Sequence, residues 1–354
     1  MAPIRARGCG NFRQRLVAAT LVGRPLRIDG IREDDEEPGL RDFEASFLRL
    51  LEKLCDGCRV EINETGTKLR YVPGLVTGGK VTHSCEGRAA GYFLEGIIPL
   101  ALFAKRPLLL SLSGITNDDV DLGIDTLRTV TLPLLERFGA AGATLTVKRR
   151  GAPPKGGGLV VVSLPIVKEL QPVDLTNVGL VKRIRGVAYT AKVSPQIANR
   201  LVDSARALLN RFLPDVWIYT DHYSGARSGG SPGFAVSIVA ETTEGCMISS
   251  EAAAEGGTLP EDLGVETAAA VLDQVQAGGF IDEAHHSLCI MLMALTTEDV
   301  SRLRVGGLSE PAIRTLQLLR DVFGSVFRIR HDQDGSVLLS CLGNGFRNVA
   351  KSIA

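Results

Sequence analysis

Cys55-Asp56-Gly57-Cys58 sets two thiols at the spacing that binds a metal or cycles between dithiol and disulfide. No second pair follows at the distance a zinc module needs, and Asp-Gly is a turn dipeptide, so these residues read as a turn between a helix and a strand. Two acidic runs, REDDEEPG at 32–39 and NDDVD at 117–121, offer carboxylates for a divalent cation. Both precede predicted helices, where Asp and Glu cap free amides and meet the positive end of the dipole; capping is the expected role, and no metal site is expected. The glycines of PPKGGGLVVV lead into a strand pattern instead of the helix that a phosphate loop requires, so they are expected to form a turn between strands. Five histidines show neither an HExxH spacing nor a Ser-His-Asp arrangement, and the adjacent His285 and His286 do not share a helix face. Structural or surface roles are expected of them.

Basic residues gather in KRRGAPPK (148–155), in KRIR (182–185) and at Arg5, Arg7, Arg13 and Arg15. With Tyr189, Trp217, Tyr219 and Tyr223 they suit either a nucleic-acid surface that mixes phosphate contacts with stacking, or solvated strand ends around core aromatics. The sequence leaves both open. Forty basic and forty acidic side chains give no net charge, so any nucleic-acid contact must come from a local patch. At 354 residues and 45% hydrophobic, the chain is long and apolar enough for a substantial core. Seven scattered cysteines fit a reducing compartment, and no run approaches the roughly 18 apolar residues of a membrane span. A soluble intracellular protein is the expectation.

The elements that must position these groups recur. RLVAATLVG leads into RPLRIDGIR, an acidic loop, the helix RDFEASFLRLLEKL and the strands CRVEINE and TKLRYVPG. GYFLEGIIPLALFA leads likewise into RPLLLSLSGIT, NDDVD, the helix IDTLRTVTLPLLERFG and the strands ATLTVKRR and GLVVVSLP. HHSLCIMLMAL then precedes SRLRVGG, the helix AIRTLQLLRDVFG and the strands SVFRIRHD and SVLLSCLG. Helical spacing is visible in Phe43, Phe47, Leu50, Leu51 and Leu54, and the strands are β-branched and bounded by Gly, Pro and Asn. An α/β fold of two-layer modules follows, with repeats one and two over residues 1–183, an inserted α/β domain over 184–283 and repeat three over 284–354.

Three such units with an insert, together with EPGLRDFEASFLRLL, GLVTGG, GITNDDVD, RRGAPPKGGG, RIRGVAYTAKVSPQIANRLVDSARALL and TDHYSGARSGGSPGFAVSIVAETT, resemble the RNA 3'-terminal phosphate cyclase family over nearly the whole chain. Within that family the phrases are most similar to its nucleolar, cyclase-like branch in eukaryotes. The resemblance implies three modules like the C-terminal domain of translation initiation factor 3 plus a smaller inserted α/β domain. It also implies a reaction: cyclases adenylate a histidine with ATP, pass AMP to an RNA 3'-phosphate and let the 2'-hydroxyl close the ring. The matching position here, in SEPAIRT, is Ala312, whose methyl group cannot form a phosphoramidate. An acidic residue of the family falls at Ala6, an arginine is kept as Arg13, and of two arginines before PGL the first is kept as Arg32 while Asp35 takes the place of the second.

A pseudoenzyme without cofactor is therefore expected, with Arg13, Arg32 and, on the opening helix of the third unit, Arg314 as candidates for an anion or RNA pocket. Charge alone makes Asp34, Asp35, Glu36 and Glu37 candidates for binding a basic partner segment. The resemblance implies a ribosome biogenesis factor of the nucleus and nucleolus, acting in pre-rRNA processing and small-subunit assembly. Its implied partners are a large nucleolar GTPase and the small-subunit pre-ribosomal particle with its small nucleolar RNP, with pre-rRNA contact and no membrane. The rival is an endonuclease cleaving pre-rRNA with charge from Arg320 and Asp321; an Asp at ordinary pKa is a weak base and Arg is none.

Overall fold

The computed structural model describes residues 2–349. The chain opens with β1 (Ile4–Arg7), α1 (Phe12–Val22), β2 (Leu26–Asp29) and α2 (Asp42–Leu54), then β3 (Cys55–Asp56), β4 (Arg59–Ile62), β5 (Leu69–Val72) and β6 (Leu75–Val76). It continues through β7 (Gly79–Ser84), α3 (Ala90–Leu102), β8 (Leu108–Gly114), α4 (Ile124–Thr126), α5 (Leu132–Arg137), β9 (Thr144–Arg149) and β10 (Gly158–Leu164). After β11 (Asp174–Leu175) come β12 (Val181–Ala191), α6 (Pro195–Leu209), β13 (Val216–Tyr223), β14 (Gly233–Thr242), β15 (Met247–Ala253) and α7 (Pro260–Ala277). The last elements are α8 (His286–Ala294), β16 (Val300–Val305), α9 (Glu310–Phe323), β17 (Phe327–His331) and β18 (Val337–Leu342).

The α/β class holds. Three four-stranded sheets run in the orders β1-β2-β5-β4, β7-β8-β10-β9 and β11-β16-β18-β17. In each, the first two strands are parallel and the remaining neighbours antiparallel. The third sheet takes its first strand, β11, from before the segment β12–α7 and the other three from after it. That segment builds its own sheet, β13-β12-β14-β15, with α6 and α7 on one face.

Local chemistry explains the elements. In α2, Asp42 and Glu44 occupy the first turn and Lys53 the last, and Phe47, Leu50, Leu51 and Leu54 are buried. Helices α3 and α8 are apolar all round because the other helices and the sheets enclose them. Gly91 and Gly96 of α3 sit where a Cβ would strike Leu122 O and the Phe47 ring. The stretch expected as one helix, IDTLRTVTLPLLERFG, is α4 and α5 joined by a π-helical turn over Leu127–Thr131, an irregularity that apolar periodicity does not encode. Cys55 and Cys58 flank a turn with Gly57 at φ 76°, as expected. Both thiols are free, and burial pushes Cys55 up to about 12, which keeps it protonated. The glycine stretch after Pro154 forms the expected β9–β10 turn and packs on the inserted segment, where Gly230 N donates to Gly156 O at 2.9 Å and Lys155 N to Ser231 Oγ at 3.1 Å. Among the described residues no helix is long and apolar enough to cross a membrane.

Candidate functional site

The first turns of α1, α2, α3, α8 and α9 converge on a cleft of about 730 Å³, closed on one side by β15 and α7 of the inserted sheet. Three guanidinium groups line it, those of Arg13, Arg32 and Arg88. Against them stand the carboxyl groups of Glu44, Glu95, Asp118, Asp119, Asp121, Glu251, Asp282 and Glu283. Carboxylates gather at helix N-termini because free amides satisfy them there: Arg41 N donates to Glu44, Ala89 N to Asp121, and His285 N to Asp282. Asp121 thus caps α3, not the helix that follows it in sequence.

Each arginine of the cleft is already neutralised. Arg13 is buried, donates to Glu95 and stacks 4.6 Å from the Tyr92 ring centre. Arg32 donates to Gly39 O and forks onto Glu44 at 2.7 and 3.0 Å; the hydrogen bonding to Glu44 raises the Arg32 pKa. Arg88 donates from Nε to Asp121 at 2.7 Å. An anion entering this cleft must compete with paired carboxylates in a surround of net negative charge. Arg13 and Arg32 line the same cleft. Arg314 does not join them: it is exposed, pairs with Glu310 one turn away, and lines a separate basic depression of about 310 Å³ with Arg5 and Arg15.

Ala312 lies in the first turn of α9, between the cleft-lining Pro311 and the core, and is fully buried. Thr315 Oγ1, one turn on, donates to Ser287 Oγ at 3.2 Å. Asp34, Asp35, Glu36 and Glu37 stand exposed on the loop before α2; Asp35 and Glu37 reach Arg41 at 3.4 and 3.1 Å. Arg320 and Asp321 are both exposed and bond each other at 3.0 Å. Among the described residues no group of three or more His, Cys, Asp or Glu converges to hold a metal.

Sequence reasoning missed the groups that join the inserted sheet to the rest. Asp282 accepts from Ser249 N at 2.9 Å, Ser249 Oγ at 2.5 Å and His285 Nδ1 at 2.6 Å, while His285 Nε2 meets Thr131 Oγ1 at 2.8 Å. All of these are buried, and the carboxylate holds the imidazole pKa up. Glu251 accepts from Gly123 N at 2.5 Å and Thr126 Oγ1 at 2.7 Å, and burial pushes it up to about 7. Arg150, wholly buried, pairs with Asp125 at 2.5 and 2.7 Å and lies 4.3 Å from the Tyr189 ring centre. The basic run at 148–155 is therefore in part a core ion pair. The bonds of Glu251 to Gly123 and Thr126 and of His285 to Thr131 span 125 to 154 positions, which leaves no local signal. His286, also buried, is held down to about 4 by desolvation.

The family model for RNA 3'-terminal phosphate cyclase matches residues 4–329. The chain is 49% identical to the RNA 3'-terminal phosphate cyclase-like protein of Homo sapiens, over 98% of this chain and 97% of that one. It is 46% identical to the probable RNA 3'-terminal phosphate cyclase-like protein of Dictyostelium discoideum, covering 99% of each. The rRNA processing protein rcl1 of Schizosaccharomyces pombe is 43% identical over 99% of this chain and 98% of its own length.

Proposed function

Because the chain belongs to the RNA 3'-terminal phosphate cyclase family, we propose that it is a non-catalytic member that works in pre-rRNA processing and small ribosomal subunit assembly. The reading places it in the nucleus and nucleolus, in the small-subunit pre-ribosomal particle with its small nucleolar RNP, bound to a large nucleolar GTPase. It takes the three like-ordered sheets as copies of one initiation-factor-3-like module, with 184–283 as an insertion between residues 1–183 and 284–354. The processing role draws on the name of the Schizosaccharomyces pombe relative.

The observation that carries the non-catalytic part is the cleft. The family's adenylyl transfer runs through an imidazole facing bound phosphates, and the residue matched to it is Ala312, whose buried methyl cannot take that part. The arginines that would receive phosphate are each held by a carboxylate. A cleft of this charge suits a basic segment better than an RNA 3'-phosphate, and the exposed acidic side chains of Asp34, Asp35, Glu36 and Glu37 extend that charge toward a protein partner.

The test has two arms. Depleting the protein in its host is expected to accumulate unprocessed pre-rRNA and to lower the small-subunit yield, both restored by the wild-type chain; normal processing after depletion would remove the role. The purified chain, incubated with labelled ATP and magnesium, is expected to carry no label. It is also expected to leave a pre-rRNA fragment intact. Cleavage that disappears in the Arg320→Ala, Asp321→Ala double variant would replace this reading by the endonuclease one.

A further inference from the structure

The chain has a single tryptophan, and it stands in solvent. Trp217 and Tyr219 alternate on β13, an edge strand of the inserted sheet; each is 56% exposed, and their rings meet edge to face with centres 6.0 Å apart. Large aromatics usually end up buried. Here the packing gives no reason for exposure, because α6 and α7 cover the opposite face, where Val216 and Ile218 are buried. Tyr189 and Tyr223 of the same segment are buried and stack with Arg150. The four aromatics thus divide into a core pair and an exposed pair.

Cations flank the exposed pair. On β12, Arg185 is the register partner of Trp217, and Val187 that of Tyr219. Lys182 and Arg183 share Glu241, at 2.7 and 2.6 Å, and Arg185 meets Asp215 at 2.8 Å. Three cations and two carboxylates leave positive charge in excess, on side chains that remain a third or more exposed. Beside Tyr219 opens a cavity of about 200 Å³, walled by Val187, Val239 and Met247 and rimmed by Arg185. Two open ring faces, an apolar hollow and a row of cations are the parts of a surface that stacks bases and tracks a phosphate backbone.

We propose that this face of the inserted sheet binds single-stranded RNA, with bases stacked on Trp217 and Tyr219 and phosphates met by Lys182, Arg183 and Arg185. A duplex has its base faces occupied and offers the rings nothing to stack on. A protein partner seeking this face would want a continuous apolar patch, and here cations interrupt it. The inference deepens the proposed role by giving the pre-rRNA contact a place, and it rests on that role only for the identity of the natural RNA.

The lone indole makes the test direct. Titrating the full chain with an oligouridylate of about ten nucleotides, while following tryptophan emission, is expected to give saturable quenching. A duplex of the same length is expected to give none. By anisotropy of the labelled oligonucleotide, Trp217→Ala and Tyr219→Ala should each weaken binding by about tenfold or more, while Trp217→Phe keeps most of the affinity. Replacing Lys182, Arg183 and Arg185 with Ser should flatten the dependence of binding on salt. Absence of quenching, equal quenching by duplex, or wild-type affinity in Trp217→Ala would overturn the proposal and leave this face to a protein. The probe is generic and the readout is binding, so quenching would persist in a protein dispensable for rRNA processing, and its absence would leave the processing role standing.

Discussion

Glu251 illustrates how one side chain sets a pH dependence. Its carboxyl is buried between the inserted sheet and the loop before α4, and its pKa is raised from the ordinary 4.5 to about 7. Between those values the folded chain holds a proton that the unfolded chain has released, so this group lowers stability as pH rises across the window. His83 and His286, each held down from 6.5 to about 4, act the other way, since the unfolded chain takes up protons there as pH falls. Glu251→Gln keeps an acceptor for Gly123 N and removes only the first effect. The difference in unfolding free energy between variant and wild type, from urea titrations, is expected to be small at pH 5 and to grow in the variant's favour by pH 8, by at most about 3 kcal/mol. A difference that does not change with pH would show that this carboxyl does not titrate in the window.

At the scale of elements, α3 and the loop that crosses its first turn shape one wall of the cleft. Gly91 of α3 has Leu122 O 1.7 Å from where a Cβ would stand. Two effects oppose each other in Gly91→Ala. Helix propensity favours alanine by about 1 kcal/mol, while overpacking against backbone costs about 1–3 kcal/mol, and here a main-chain carbonyl must move. Net destabilisation is expected from urea unfolding, together with a loosened Asp121 cap on α3; a rise in the urea midpoint would mean the loop yields freely. The helix itself was legible in the sequence, because GYFLEGIIPLALFA is apolar and bounded by turn residues. Gly91 was not legible as a contact, since Leu122, which it touches, comes 31 residues later in the chain. The same holds for the cleft. Arg13 and Arg32 were identified by resemblance, but their carboxylates, Glu95 at 82 positions and Glu44 at 12, belong to other helices and only the fold brings them together. Trp217 and Tyr219 alternate in VWIYTDH, yet which face meets solvent depends on where α6 and α7 land.

For the molecule as a whole, the inserted sheet is tied to the segment around α4 and α5 and to the start of α8 through buried polar groups, chiefly Asp282 between Ser249 and His285. Removing one partner of a buried charge pair costs about 3–5 kcal/mol, because the other is left uncompensated. Wild-type calorimetry is expected to show a single transition. In Asp282→Ala it should fall in temperature and separate into two, the inserted segment melting apart from the rest; a single lowered transition would show that apolar packing alone couples them. The third sheet has a different consequence. Asp174 on β11 pairs with Arg302 on β16, 128 positions downstream, and β18 ends at Leu342. During translation β11 therefore emerges long before its neighbours, and closing so wide a loop is entropically slow. Until the ribosome has delivered β16 to β18, the nascent chain carries an unzipped edge beside a finished insertion, and that interval is when a chaperone has most to shield.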